Sequence, residues 1–443
     1  MKIALVVPNG EKNMSGMGNV ARPPLGVCFL KSYLLKEGFP DVKVFHQIDE
    51  TNDELVKKIL EFSPVLVGFS VMSCVFSNAA SLAKALKNTR PAIKIVFGGE
   101  HITGIYVDET KYGSRLMTKT LRENQCIDFL IPFEGEVVLT GLAKNIRDGH
   151  SMRRVHGTVF QNSIVIYITK KIKRVKYLDA LPMADRSDLP YEKYHSVDEA
   201  SNLEYMHTTR GCKFRCSYCA TPVSNPGNVA KNSAGRILEE VKFLHDSYKR
   251  KSFFFCDELF TADIQRMEDF CKGLIRTGLN KKITWRVFAR VDDVSNEKLN
   301  LKLMKEAGLN GLFFGVESMN LKTLRKLGKG VKPDQIRGAI EKTYRSGIDV
   351  WCSLMIGYPW ETEGELKKSL SEYLTIKNGG FIKHTYVAFV TPFPGTRFYR
   401  QCVDNNWIID KTFLQSDCSY PVLSTPIKKE VLIKIYKDFL EQV

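Results

Sequence analysis

The chain of 443 residues is short of several things whose lack narrows what it can be. It has no apolar run near the roughly 20 residues that cross a bilayer; the longest weakly polar stretch, Pro64 to Phe76, falls well short, so no membrane partner is expected. The apolar start Ile3 to Val7 is halted by Pro8-Asn9-Gly10, which does not read as a signal peptide and makes the cytoplasm the expected compartment. Internal repeats and low-complexity tracts are missing too. Eleven cysteines in so long a chain make no disulfide framework, and eight of them (Cys28, Cys74, Cys126, Cys256, Cys271, Cys352, Cys402, Cys418) are scattered without ligand spacing. Ser-His-Asp and paired-carboxylate machinery is likewise not recognisable. Acidic residues are the scarcer charge: the net charge of +16 favours anionic partners, or simply a solvated basic surface.

What is present is ordinary globular material, 44% apolar and 26% charged, enough for two to four domains at about 150 residues each. Residues 1–148 alternate short buried strands (Ile3 to Val7, Val42 to Phe45, Leu66 to Ser70, Ile93 to Phe97, Phe129 to Pro132) with helical patterns near Val27 to Glu37, Asp53 to Phe62, Ser77 to Lys87 and Glu136 to Ile146. That alternation predicts an α/β, doubly wound, Rossmann-like sheet, which takes ligands at the carboxyl ends of its strands. Residues 149–200 read as a hairpin around Asn162-Ser163, a basic run (Lys170, Lys171, Lys173, Arg174, Lys176) and a connector with Pro182 and Pro190. Over 201–399 six strands alternate with longer helices: Leu203 to Thr209, Ser252 to Cys256, Ile283 to Arg290, Leu312 to Val316, Asp349 to Ile356 and His384 to Val390. The helical stretches lie near Gly235 to Tyr248, Ile264 to Thr277, Asn296 to Ala307, Pro333 to Ser346 and Glu363 to Thr375. Six such units predict a partial (β/α)6 version of the TIM barrel, with function at the strand carboxyl ends. A short extension, 400–443, ends in an amphipathic helix from about Lys428 to Gln442.

The decisive segment is Thr208-Thr209-Arg210-Gly211-Cys212-Lys213-Phe214-Arg215-Cys216-Ser217-Tyr218-Cys219, a C-x3-C-x2-C set directly after the first barrel strand. A cubane iron-sulfur cluster usually takes four thiolates, so three close-set ones suggest a cluster with one iron open. Structural zinc would need a fourth ligand that neither His207 nor a local neighbour supplies. The same spacing also fits one face of a helix with three buried cysteines, although Gly211, Lys213 and Arg215 favour a loop.

With an aromatic before its last cysteine and a partial barrel behind it, the motif resembles that of radical S-adenosylmethionine (SAM) enzymes over about residues 201–400. The resemblance implies Cys212, Cys216 and Cys219 as ligands of a 4Fe-4S cluster, whose open iron chelates the amino and carboxylate groups of SAM. An electron from the cluster then splits the sulfonium to a 5'-deoxyadenosyl radical. It further implies SAM contacts from Tyr218 near adenine, Arg290 at the methionine carboxylate, and Glu317 and Ser318 of Gly315-Val316-Glu317-Ser318 at the ribose. Ile356 and Gly357 of Met355-Ile356-Gly357-Tyr358-Pro359 would contact adenine, and Phe393, in the Thr391-Pro392-Phe393-Pro394-Gly395-Thr396 turn, would be a further SAM contact. One departure is Asp257-Glu258-Leu259-Phe260 where many relatives carry a glycine pair.

The first domain is similar to the cobalamin-binding domain that precedes this barrel in one large subfamily. The matching residues are Arg22-Pro23-Pro24-Leu25-Gly26, Val67-Gly68-Phe69-Ser70, Val96-Phe97-Gly98-Gly99 and Glu134-Gly135-Glu136. Implied cobalamin contacts are Pro24, Gly26, Ser70, Ser73, Gly98, Gly99, Glu134 and Gly135, where small residues allow close approach. The D-x-H-x-x-G motif is absent, so that motif offers no lower ligand to cobalt. The resemblance implies a cobalamin-dependent radical SAM methyltransferase acting on an unactivated carbon or phosphorus of an anionic small molecule. An external low-potential donor such as flavodoxin or ferredoxin would supply electrons. The alternatives are a non-methylating rearrangement, ring contraction or cyclisation, and modification of RNA or protein. Nucleic acid is not the expected partner: methylthiolating relatives carry extra amino-terminal cysteines, whereas Cys28, Cys74 and Cys126 lie far apart.

Overall fold

The computed structural model describes residues 1–10, 22–162, 165–170, 174–194, 203–226, 229–410 and 418–443. Ser163, Lys171 and Lys173, expected in the hairpin turn and basic run, lie outside the described residues. The chain forms two compact units, Met1–Val197 and Asp198–Val443.

In the first unit β1 (Ile3–Val7), β2 (Val42–His46), β3 (Leu66–Ser70), β4 (Lys94–Gly98) and β5 (Phe129–Ile131) are parallel, in the order β2-β1-β3-β4-β5. Alternation along β1 shows why the sheet is covered on both faces. Ile3 and Leu5 pack with the helices Leu25–Lys36 and Glu136–Arg147, while Ala4 and Val6 pack with those on the other side. The hairpin continues the same sheet: β6 (Val159–Gln161) and β7 (Ile166–Ile168) add antiparallel beyond β5. The connector also folds back on this unit. Asp188 accepts from the edge-strand amide of Val44 at 2.8 Å and pairs with the buried ammonium of Lys31, also at 2.8 Å.

Between β4 and β5 the structure has two helices, Glu100–Tyr112 and Leu116–Glu123, that apolar periodicity did not announce. The first begins at Gly99, whose φ of +100° and whose missing Cβ, which would lie 2.8 Å from the Val71 nitrogen and oxygen, both require glycine. Gly99→Ala is expected to cost about 1–3 kcal/mol of stability, read from denaturant unfolding.

The second unit is a curled, six-stranded parallel half-barrel. Its strands are β8 (Leu203–Met206), β11 (Ser252–Phe255), β12 (Thr284–Ala289), β13 (Leu309–Glu317), β14 (Asp349–Ile356) and β15 (His384–Phe389), in chain order across the sheet. A two-stranded ribbon, β9 (Thr209–Arg210) with β10 (Ala230–Lys231), stands at the exit of β8. Phe253, Phe255, Trp285, Val287, Phe314, Val350, Cys352 and Leu354 pack against the helices as one core. The helix expected over Asn296 to Ala307 is two short ones, Val291–Ser295 and Leu301–Glu306. Between them Glu297 takes a φ of +57° and Asn300 caps the second by accepting from the Leu303 amide. The terminal helix, Lys429–Leu440, buries Leu432, Ile435 and Phe439 in the same core. No helix among the described residues is long and apolar enough to cross a membrane.

Candidate functional site

Residues 211–219 are irregular, so Cys212, Cys216 and Cys219 do not lie on a helical face but in a loop leaving the β8 end of the sheet. Asp257, fully buried just past β11, anchors the approach to that loop. Its Oδ1 accepts from the backbone amides of Thr208 and Thr209 at 2.5 and 2.8 Å, and its Oδ2 from the Thr208 hydroxyl at 2.5 Å, with the Arg266 guanidinium 3.8 Å away. Glu258 accepts from the Gly211 amide at 3.3 Å. Farther along, Ser217 donates its amide to the Leu327 carbonyl and accepts from the Phe398 amide, at 2.8 and 2.9 Å, and Arg397 holds the Arg215 carbonyl. The acidic segment that departs from the glycine pair thus braces the cysteine loop.

The three thiols are close enough to act on one another electrostatically. Burial pushes the Cys219 and Cys212 thiols up, and the neighbouring cysteines add to it; for Cys212 the Arg290 charge works in the opposite direction. A cation-rich cluster would relieve that burden, since it takes thiols as thiolates. The three cysteines, in a loop held by backbone anchors and without disulfides, are of the right chemistry for such a group, although among the described residues they are not gathered into a ready metal-ligand cluster.

Arg290, directly after β12, lays its guanidinium 3.7 Å from the centroid of Phe214 in the loop, while Nε donates to Asp292 at 2.7 Å and Nη2 to the Lys329 carbonyl at 2.5 Å. Tyr218 donates to Glu317 Oε1 at 2.8 Å, and burial together with that carboxylate raises its phenol well above the ordinary range, keeping it protonated. Glu317 closes β13 beyond a register break and holds a φ of +66°, a left-handed conformation uncommon for a side chain of this size. The buried Lys329 ammonium lies 3.1 Å from the same Oε1. Cysteine loop, Arg290, Tyr218 and Glu317 therefore converge. Lys329 and Phe214 join them unannounced by the sequence, because a lysine in Gly-Lys-Gly and a phenylalanine between cysteines carry no motif of their own.

The other expected SAM contacts lie at or just after the ends of β13, β14 and β15. The Ser318 hydroxyl is buried, 3.2 Å from Ser369 Oγ, and accepts from the Asn320 amide. Behind it burial raises the Glu361 carboxyl to about 7 while Thr323 donates to it at 2.6 Å. Ile356 points its side chain into the helix-side core, leaving backbone for any ligand, and Gly357 follows with φ +85°. The Phe393 carbonyl accepts from Thr396 in the turn after β15.

In the first unit Ser70, Ser73, Gly98 and Gly99 gather at the carboxyl ends of β3 and β4, beside Met72, which is 55% exposed. Ser73 Oγ lies 3.0 Å from Nδ1 of the buried His101, whose ring packs 4.8 Å from Phe76. The Cβ positions of Gly98 and Gly99 face the Ile131 carbonyl and the Val71 backbone, so these glycines serve packing, while Ser70 and the exposed Met72 leave the strand ends fit for a large ring ligand. Pro24 and Gly26 open the helix Leu25–Lys36, with open space at the Gly26 Cβ position, and Gly135 lies against Leu30. The Glu134 carboxylate is taken up by Arg174 at 3.1 Å and by the Val175 amide at 3.0 Å. Burial holds His101 near pKa 4, below the ~6.5 of an unfolded chain. Stability from its neutral ring is complete above about pH 6.5 and lost as pH falls toward 4, up to about 3 kcal/mol. Melting curves across that window should fall more steeply for the native chain than for His101→Gln.

A curled parallel half-barrel with three close-set cysteines after its first strand, joined to a doubly wound unit, defines the class of radical enzymes that pair an iron-sulfur cluster with a second cofactor. The family model of the Radical SAM superfamily matches residues 206–372, and that of the B12 binding domain residues 21–113. The chain belongs to the cobalamin-binding-domain-containing radical SAM enzymes, whose cofactors are a 4Fe-4S cluster, SAM and cobalamin. It is 29% identical over 427 residues to an uncharacterized methyltransferase of Pyrococcus horikoshii, covering 96% of this chain and 88% of that one. It is 24% identical over 418 residues to the anaerobic magnesium-protoporphyrin IX monomethyl ester cyclase of Rubrivivax gelatinosus, covering 93% and 71%. The solved cobalamin-dependent SAM radical enzyme OxsB, with aqua-cobalamin and SAM bound, superposes with a TM-score of 0.75 at 18% identity, over 99% of this chain and 66% of that one.

Proposed function

We propose that the chain is a cobalamin-dependent radical SAM methyltransferase that methylates an unactivated carbon, or phosphorus, of an anionic small molecule in the cytoplasm. The observation that carries this reading is the likeness, along 96% of the chain and through both units, to a protein named as a methyltransferase. When bound, the cluster supplies the electron that cleaves SAM, and cobalamin supplies a methyl carrier.

The chain's own residues do the holding. Cys212, Cys216 and Cys219 ligate the cluster. Arg290, steadied on Phe214 and Asp292, faces the methionine carboxylate. Glu317, kept by Lys329 and Tyr218, accepts from the ribose hydroxyls, while Tyr218 and the backbone of Ile356 and Gly357, with Phe393, border adenine. Ser70, Ser73, Gly98 and Gly99, at the carboxyl ends of β3 and β4, border the corrinoid, with Pro24, Gly26, Glu134 and Gly135 at its margin. Enzymes of this class take their electrons from an external reductant, and flavodoxin or ferredoxin is the proposed donor. The basic excess of +16 supports an anionic substrate.

A second reading, rearrangement or cyclisation without methyl transfer, is favoured by the likeness to the Rubrivivax cyclase. Anaerobic reconstitution with iron, sulfide and corrinoid assays tests both, and should give about four irons and one cobalamin per chain. Product heavier by one methylene supports methyl transfer. Cluster without corrinoid, or an unchanged carbon count with deoxyadenosine formed, overturns it.

A further inference from the structure

The concave face of the half-barrel carries a belt of rings that the cofactor roles above leave unused. Side chains alternate along each strand: those at Phe253, Phe255, Trp285, Val287 and Phe314 enter the helix-side core, so their neighbours Phe254, Phe288 and Phe313 turn to the concave side. There they meet in sequence. Phe254 and Phe288 stand 5.1 Å apart, Phe288 and Phe313 4.8 Å, and Phe313 stacks on Tyr386 at 5.4 Å with 25° between planes. Tyr205 on β8 extends the belt to the sheet's other edge, 5.9 Å from Phe254.

Register explains the contact between Phe313 and Tyr386, which lie two strands apart. Ser353 on the intervening strand pairs with both Gly315 and Tyr386, and its small side chain lets the tyrosine lean across. Phe288, Phe313, Trp351 and His384 are direct register partners in one layer, and the guanidinium of the buried Arg286 stacks 4.0 Å from Trp351. In a closed eight-stranded barrel such side chains would fill the lumen as packed core. In this half-barrel Phe288 and Tyr386 remain partly exposed, as do Ser353, Met355 and Ala388 around them. Phe288 and Tyr386 thus bracket the buried Phe313 and offer two partly exposed rings on the concave surface as a stacking site, and aromatic contacts favour planar partners beyond the area they bury.

We propose that the substrate of the radical reaction carries a flat aromatic or conjugated ring, which stacks on the partly exposed Phe288 and Tyr386, with the buried Phe313 between them, on the concave face. This deepens, and rests on, the radical SAM reading of the same unit.

The test is equilibrium binding of 2-naphthoate and of its saturated counterpart, decalin-2-carboxylate, to the full chain reconstituted with cluster, cobalamin and SAM. Naphthoate should bind about tenfold tighter than the saturated acid. Phe288→Leu and Tyr386→Leu should each weaken it about five- to tenfold, whereas Phe288→Tyr and Tyr386→Phe, which keep a ring, should stay close to the native affinity. Equal binding of the two acids, no saturable naphthoate binding at millimolar concentration, or leucine variants that bind like the native chain would each overturn the proposal. Naphthoate binding that SAM abolishes would assign the belt to the cofactor's adenine and overturn it too. A native chain that takes up neither iron nor SAM is a different result, because it rejects the radical reading itself.

Discussion

Cys216→Ala is expected to leave a folded chain with little iron and with 5'-deoxyadenosine formation reduced at least a thousandfold, to background. The expectation follows from the way the loop is built. Its backbone is tied down at Ser217 by Leu327 and Phe398, and at Arg215 by Arg397, so the path of the chain does not depend on the Cys216 sulfur. On the proposed ligand assignment only a ligand is removed, and two thiolates cannot present a cubane with a single open iron. Iron and sulfide assay after anaerobic reconstitution, with circular dichroism to verify folding, checks it. Cys74→Ser, on the other unit, should keep full iron content. Undiminished deoxyadenosine formation by Cys216→Ala would remove this cysteine from the ligand set.

Asp257→Ala is expected to cost about 3–5 kcal/mol of stability, and to lower cluster occupancy as a consequence, because it strands buried groups rather than merely deleting a contact. The Thr208 and Thr209 amides and the Thr208 hydroxyl lose their acceptor. The buried Arg266 guanidinium loses its neighbouring carboxylate, keeping hydrogen bonds to the Thr208 hydroxyl and the Phe260 carbonyl. Asp257→Asn should be milder, since one oxygen can still accept from the two amides. Denaturant unfolding of the three proteins measures the difference. A loss under about 1 kcal/mol for alanine would mean that water replaces the carboxylate and that the loop has other support.

The two substitutions differ in how far ahead of the structure they could be named. Cys216 was legible because thiolate spacing is local chemistry: three sulfurs within eight residues are near one another in any compact backbone. Asp257 was legible only as a departure from the glycine pair of relatives. Its role depends on Thr208, which lies 49 residues earlier and meets it only because β8 and β11 are neighbours in the sheet. Lys329 and Phe214 belong to the same case, since their partners Glu317 and Arg290 reach them across turns at strand ends.

Much of the architecture could be read in one dimension. Apolar runs separated by amphipathic stretches specify buried parallel strands and covering helices, because each periodicity has one solution that buries its face. The five strands of the first sheet and the six of the half-barrel lie close to their expected places. The hairpin did not declare its sheet, because two short strands carry no mark of which edge they will extend; the edge of β5 decided it.

By itself the sequence determined the two α/β units, the C-x3-C-x2-C motif and the class of cofactor chemistry, all of which rest on local pattern and spacing. Tertiary structure alone decided that Ser318 and the Ile356 side chain turn away from the strand-end site, that Glu134 is engaged by Arg174, and that Lys329 joins Tyr218 on Glu317. It also decided that rings from five strands form one concave belt. The physical reason is the same throughout: a side chain's direction and partners are set by strand register and sheet curvature, which bring together residues whose separation along the chain carries no record of the meeting.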